Sequence, residues 1–194
     1  MGRPKAFNPS EVLNQAMLIF WSRGYGGTSV ADLEKQLGIN KFSLYSEFGN
    51  KHALYLKALD LYVSTRFQMM LSCLQAEPLG LENIQRFFQV LQAVTHTQEQ
   101  MDGCFLVNAG IEMSPSDIQV RDRVSKVYRA LEDGFYQCVR QAQLGGKIAE
   151  DQDAMAIARG LVIQTQGLLT VARNEQHTRT TDSSIQLILG WLDR

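Results

Sequence analysis

Cysteine, long apolar runs and net charge are all scarce in this chain of 194 residues. Its three cysteines, Cys73, Cys104 and Cys138, are odd in number and lie more than thirty residues apart. They lack CxxC or Cys/His ligand spacing, which excludes a disulfide framework and a zinc ribbon and predicts reduced thiols. No apolar run approaches the roughly 18 residues of a membrane span, and the first residues, "MGRPKAFNPS", are basic without the apolar h-region of a signal peptide. A cytoplasmic protein with no membrane partner is the expectation. The histidines His52, His96 and His177 are scattered, and no phosphate-cradling glycine loop, HExxH pair or nucleophile elbow is present. The sequence therefore predicts no enzyme, no metal and no cofactor.

What is present is an ordinary globular composition, 45% hydrophobic and 20% charged, long enough for one large domain or for a small and a medium one. The net charge of −1 excludes a uniformly basic nucleic-acid binder. Its distribution is uneven. Residues 1–60 carry seven Lys and Arg against five Asp and Glu, whereas the remainder carries twelve against fifteen. A small basic head on an acidic body directs any phosphate contact to the N-terminal end.

The punctuation is helical throughout, with no internal repeat and no alternating strand pattern. Asn8, Pro9 and Glu11 form a capping-box start for a helix that Gly24 stops. Thr28 is expected to cap a second helix ending at Gly38, Asn40 a third to about Phe48, and Asn50 a fourth to about Cys73. Beyond Pro78 and Gly80, longer amphipathic segments are predicted at roughly 81–97, 103–113, 117–143, 151–174 and 182–193. The fold class is all-α, with an N-terminal three-helix head and a helical-bundle body.

In "TSVADLEKQLGINKFSLYSEF", residues 28–48, the apolar Val30, Leu33, Leu37, Ile39, Leu44 and Phe48 face inward around a tight turn at Gly38. That is the layout of a helix-turn-helix, whose first helix braces the second so that its polar face enters a major groove. A helical hairpin within a core has the same periodicity. On the helix-turn-helix reading Lys41, Phe42, Ser43, Tyr45 and Ser46 face outward.

The longer stretch "RGYGGTSVADLEKQLGINKFSLYSEFGNKHALYLKAL" resembles the DNA-binding head of the TetR family of bacterial transcriptional regulators. The RGY-x-x-TS entry, the Gly-Ile-Asn turn, the Leu-Tyr-x-x-Phe core and the Lys opening the fourth helix coincide. Glu34 departs from the pattern, standing where such motifs carry a small residue; its stem can pack while its carboxylate points outward. The resemblance implies a head at residues 1–52 and an effector-binding and dimerisation body at 53–194. It implies that Thr28, Tyr45 and Lys51 hold phosphates, in line with the anion preference of helix N-termini. Lys41, Phe42, Ser43 and Ser46 are then left for base edges or a thymine methyl. Tyr45 has half-buried packing as its alternative role. Arg3 and Lys5 in "GRPK" form either a minor-groove hook or an ordinary tail.

One such helix reads only a few base pairs, so a symmetric homodimer on a pseudo-palindromic operator is expected. The last two helices suit it: Ile157 and Leu161 in one, and Ile185, Ile188, Leu189 and Leu192 in the other, with Leu187 and Trp191 apolar on a second side. Burial within one chain is the alternative. The resemblance also implies a cavity for an unknown small-molecule effector, with Met101, Cys104, Phe105, Met113, Tyr128, Phe135 and Gln164 as candidate lining. Cys104, after a glycine and at a helix start, is either an inert buried thiol or a thiolate of lowered pKa open to electrophiles, as in family members that sense them. The implied function is a sequence-specific DNA-binding transcriptional regulator, a repressor released by a small molecule or an electrophile. A DNA-binding architectural protein without an effector is the other reading.

Overall fold

The computed structural model describes residues 7–96, 102–173 and 178–192. Met101, His177, Arg3 and Lys5 lie outside them, as does the side chain of Leu192. Helix α1, Pro9–Arg23, starts where Asn8 accepts from the backbone of Ser10 and ends at Gly24, whose φ of 73° suits a residue without Cβ. Helix α2, Val30–Leu37, is capped by Ser29, not by Thr28: Ser29 accepts from Asp32 N–H, and Asp32 accepts from the Ser29 backbone in return. The sequence offered two adjacent hydroxyls; the backbone turn aims the second at the free N–H groups and folds Thr28 inward. Gly38, at φ 66°, makes the turn into α3, Lys41–Phe48, which Asn40 caps; Asn50 caps α4, Lys51–Tyr62.

A single π turn, Val63–Phe67, joins α4 to α5, Gln68–Cys73. The hydroxyls of Ser64 and Thr65 both donate to the Leu61 carbonyl, at 3.0 and 2.7 Å. A wider turn disturbs the regular backbone ladder, and two neighbouring hydroxyls supply donors locally. The body follows as α6 Leu81–Thr95, α7 Phe105–Glu112, α8 Ile118–Leu144, α9 Ala154–Ala172 and α10 Thr178–Leu192. Helix α10 thus starts about a turn earlier than its apolar pattern indicates, because its first turn, Thr178 to Thr181, is polar.

Head and body share one continuous core. Phe20 of α1 stacks edge-on against Tyr55 of α4, which meets Phe105 of α7, which meets Tyr62, with centroid spacings of 5.1, 5.5 and 5.7 Å. The Trp21 indole donates to the Gly103 carbonyl at 2.7 Å. Helix α9, at 19 residues and a mean hydropathy of 1.2, is long and apolar enough to cross a membrane. Here it packs on α8 and α10 with Ala158, Leu161, Val162, Thr165 and Leu168 buried.

Candidate nucleic-acid interface

Helix α3 lies on α2 and α4 through Leu44 and Phe48. Those two contacts fix which side faces away. Lys41, Phe42 and Ser46 are exposed, Phe42 at 84%, while Ser43 and Tyr45 are half-buried. An aromatic side chain so open to water has no role in holding the head together, and it suits contact with a thymine methyl or a base edge. The Lys41 ammonium leans over the Tyr45 ring, 5.6 Å from its centroid, and the Tyr45 side chain packs partly on the core. Tyr45 is both packing and surface. Glu34 is half-buried, and its carboxylate accepts the Lys41 backbone N–H. The departure from the expected small residue thus becomes a second cap on α3, beside Asn40, at the helix end that favours negative charge.

Thr28 leaves the set of phosphate contacts. It is fully buried and its hydroxyl donates to Gly24 O at 2.7 Å, so no side-chain atom is left for a ligand. Its neighbour Ser29 is exposed at the N-terminus of α2. Lys51 opens α4 and is half-buried, its ammonium 4.0 Å from the centroid of Tyr25. Burial lowers its pKa, and the negative charge of Glu112 acts against that shift.

Sequence reasoning missed the groups that join this head to the body. Glu112, the last residue of α7, accepts from Tyr25 N at 2.9 Å and from Gly26 N at 2.7 Å. Asp117 caps α8 through Gln119 N and Val120 N and also bonds the His52 ring at the start of α4. Burial pushes the Asp117 carboxyl up, but the His52 bond, the α8 N–H groups and the nearby His52 charge hold it below the usual range. The signal available in the sequence was slight: an acid at a helix C-terminus, where the helix dipole disfavours it.

In the body the candidate lining residues divide. Cys104 and Phe105 are buried at the start of α7, with Tyr62 donating to Cys104 Sγ at 3.4 Å. Tyr128 stands near them and its hydroxyl is raised to about 12, first by burial and then by Cys104. Met113 is half-buried at the end of α7. Phe135 packs in another part of the core, against Phe87 and Phe88, and Gln164 sits on the outer side of α9. Of the two readings of Cys104 the geometry favours the inert buried thiol: burial raises its pKa, and the hydrogen bonds from Tyr62, Val107 and Leu106 only partly offset that.

The apolar helices also sort differently from their sequence stripe. Ile185 is fully buried and Leu161 nearly so, inside their own chain, while Ile157, Ile188 and Leu189 are half-buried. The exposed apolar residues on this side are Ile163 at 69%, Leu187 at 76% and Trp191 at 48%. Two grooves run here between α9 and α10, of about 390 and 420 Å³; the first is lined by Leu168, Leu187 and Ile188 among others, the second by Ile157, Leu161 and Trp191.

A short helix braced by another, presenting a cation, an open aromatic ring and hydroxyls from a compact three-helix head, defines a helix-turn-helix DNA-binding protein. Comparison with known proteins narrows the class. A model described as "Bacterial regulatory proteins, tetR family" matches residues 12–58, and a "Tetracyclin repressor-like, C-terminal domain" model matches residues 80–188. The chain is 31% identical to the HTH-type transcriptional regulator YezE of Bacillus subtilis over 194 residues, covering all of both proteins. It is 30% identical to the HTH-type transcriptional repressor ComR of Escherichia coli over 176 residues, 89% of this chain and 82% of that one. A cysteine mutant of the TetR family regulator CifR, solved with a 26-base-pair operator, superimposes with a TM-score of 0.81 at 28% identity, over 95% of this chain and 98% of the other. This chain belongs to the tetR family and is a DNA-binding transcriptional regulator.

Proposed function

We propose that the protein is a homodimeric repressor whose two heads occupy a pseudo-palindromic operator and are released when a small molecule enters the body non-covalently. The observation that carries the DNA contact is the outward face of α3, where Phe42 stands 84% exposed beside Lys41 and Ser46. Those residues, with Ser43, read bases; Tyr45, Lys51 and Ser29 hold the backbone, Ser29 taking the place assigned to Thr28. The relatives that are repressors by name, and the operator complex of CifR, support the direction of control.

The exposed Leu187, Trp191 and Ile163 support a second copy seated on α9 and α10, with Ile157, Ile188 and Leu189 at its edge. The candidate effector site is the face of α7 toward α8, where Tyr128 is half-buried near Cys104 and Met113 is half-buried at the far end of α7. A non-covalent effector is proposed because Cys104 is enclosed in the core and its sulfur accepts from the Tyr62 hydroxyl, which leaves it little access to an electrophile.

The test is selection of genomic fragments by the purified protein, followed by footprinting. A protected inverted repeat is expected, and equal affinity for selected and random DNA at physiological salt would overturn the reading. Lys51→Ala should weaken binding to every sequence and lower the salt slope by about one contact, whereas Lys41→Ala and Ser43→Ala should also alter base preference.

A further inference from the structure

We propose that Glu112, on the body, is a positioning residue for Lys51 in the head, acting through Tyr25; the inference rests on the phosphate-binding role proposed above for Lys51. Three features of the geometry carry it. Both oxygens of the Glu112 carboxylate are used on one turn, Oε2 accepting from Tyr25 N and Oε1 from Gly26 N. The turn is shaped around that carboxylate: a Cβ at Gly24 would stand 2.7 Å from Glu112 Oε2, and one at Gly26 would stand 3.1 Å from Oε1. The side chain held by this clasp, Tyr25, presents its ring face to the Lys51 ammonium at 4.0 Å, with the His52 and Tyr55 rings edge-on at 6.2 and 5.1 Å to keep it from turning.

The physical consequence is preorganisation. An ammonium on a four-carbon stem loses rotamer freedom when it meets a phosphate. One already resting on an aromatic face has given up part of that freedom before DNA arrives. Glu112 stands at the C-terminus of α7, where the helix dipole disfavours an acid, so the two N–H bonds explain its presence there. A shift of α7 moves the clasp and with it the Tyr25 ring, which makes the position of Lys51 depend on the state of the body.

A carboxylate that merely repelled DNA, or one that only cemented head to body, predicts different outcomes. Operator affinity is measured for Glu112→Ala and Glu112→Gln, each in the wild-type and in the Lys51→Ala background, with melting curves to confirm folding. Positioning predicts a loss of about two- to fivefold for Glu112→Ala, the range of an exposed cation–π contact, with partial rescue in Glu112→Gln, whose amide oxygen still accepts one N–H. In the Lys51→Ala background both losses should vanish. Affinity that is unchanged or tighter in both Glu112 variants overturns the proposal. Equal losses in the two backgrounds also overturn it, since Glu112 would then act on the head independently of Lys51. If Glu112→Ala does not fold, the near-isosteric Glu112→Gln decides alone by the same comparison. Failure of the underlying reading shows separately, as a Lys51→Ala protein with wild-type affinity and salt slope.

Discussion

At the scale of single residues, function here depends on which of two neighbouring groups is turned outward. Thr28 and Ser29 carry the same hydroxyl, but one closes the end of the α1 turn by donating to Gly24 O and the other caps α2 in water. Ser29→Ala should therefore cost about 1 kcal/mol of stability through the lost cap and weaken DNA binding, both readable by thermal melts and operator titration. Thr28→Ser, which keeps the bond but removes a buried methyl, should lower stability alone. Cys104 shows the same dependence on surroundings. Its thiol is 1% exposed and its pKa is raised by burial, and the Cys138 thiol is pushed up to about 11 by burial. Alkylation by iodoacetamide near pH 8 should be slow at both in the folded protein and fast in denaturant. Rapid native labelling of Cys104, located by peptide mass, would restore the electrophile reading.

At the scale of elements, the short helices of the head depend on their ends more than on their length. Helices α2 and α3 have eight residues each, too few to be stable alone in water. Their first turns carry the reciprocal Ser29–Asp32 box, and Asn40 with the Glu34 carboxylate. The turn between them needs φ of 66° at Gly38. Gly38→Ala should destabilise the head by about 1–2 kcal/mol, since a Cβ is strained in that conformation. No neighbouring atom lies within 4 Å of such a Cβ, so the measured loss reports backbone strain alone. The seam elements carry a pH prediction. The Asp117 carboxyl is depressed, so its contribution to stability is present above the ordinary carboxylate pKa of about 4. It is lost as the pH falls through the lower folded value. His52→Ala removes a donor that holds this pKa down, so the gap in melting temperature between wild type and variant should be wide near neutrality and should close in acid.

At the scale of the whole molecule, one continuous core leaves Ile163, Leu187 and Trp191 exposed on the side of α9 and α10. Leu187 is 76% exposed in one chain, so Leu187→Glu should leave the protomer folded. At a dimer interface the same change buries an unpaired charge and costs on the order of 3–5 kcal/mol. Light scattering should report monomers with weakened operator binding. Ile185→Glu is the contrast, because Ile185 is fully buried within its own chain and its replacement should unfold the protomer. A Leu187→Glu protein that remains a dimer would move the interface away from α9 and α10.

The all-α class, the helix ends at Gly24 and Gly38, the caps at Asn8, Asn40 and Asn50, and the outward face of α3 were legible in the sequence, because each rests on interactions within a few residues. Local hydrogen bonds and the 3.6-residue period need no knowledge of distant chain. What distant chain supplies was not legible. Glu112 reaches Tyr25 and Gly26 across more than eighty residues, and Asp117 reaches His52 across 65; no periodicity connects them. The two apolar sides of α10 were visible as a pattern, yet which side is inward is set by packing against α6 and α9, and that placed Ile185 inside and Leu187 in water. Cys104, left open between two roles, and Thr28, assigned to a phosphate, were undecidable for one reason: the sequence records a side chain's chemistry, whereas its pKa and its availability to a ligand depend on how much water the tertiary structure leaves around it.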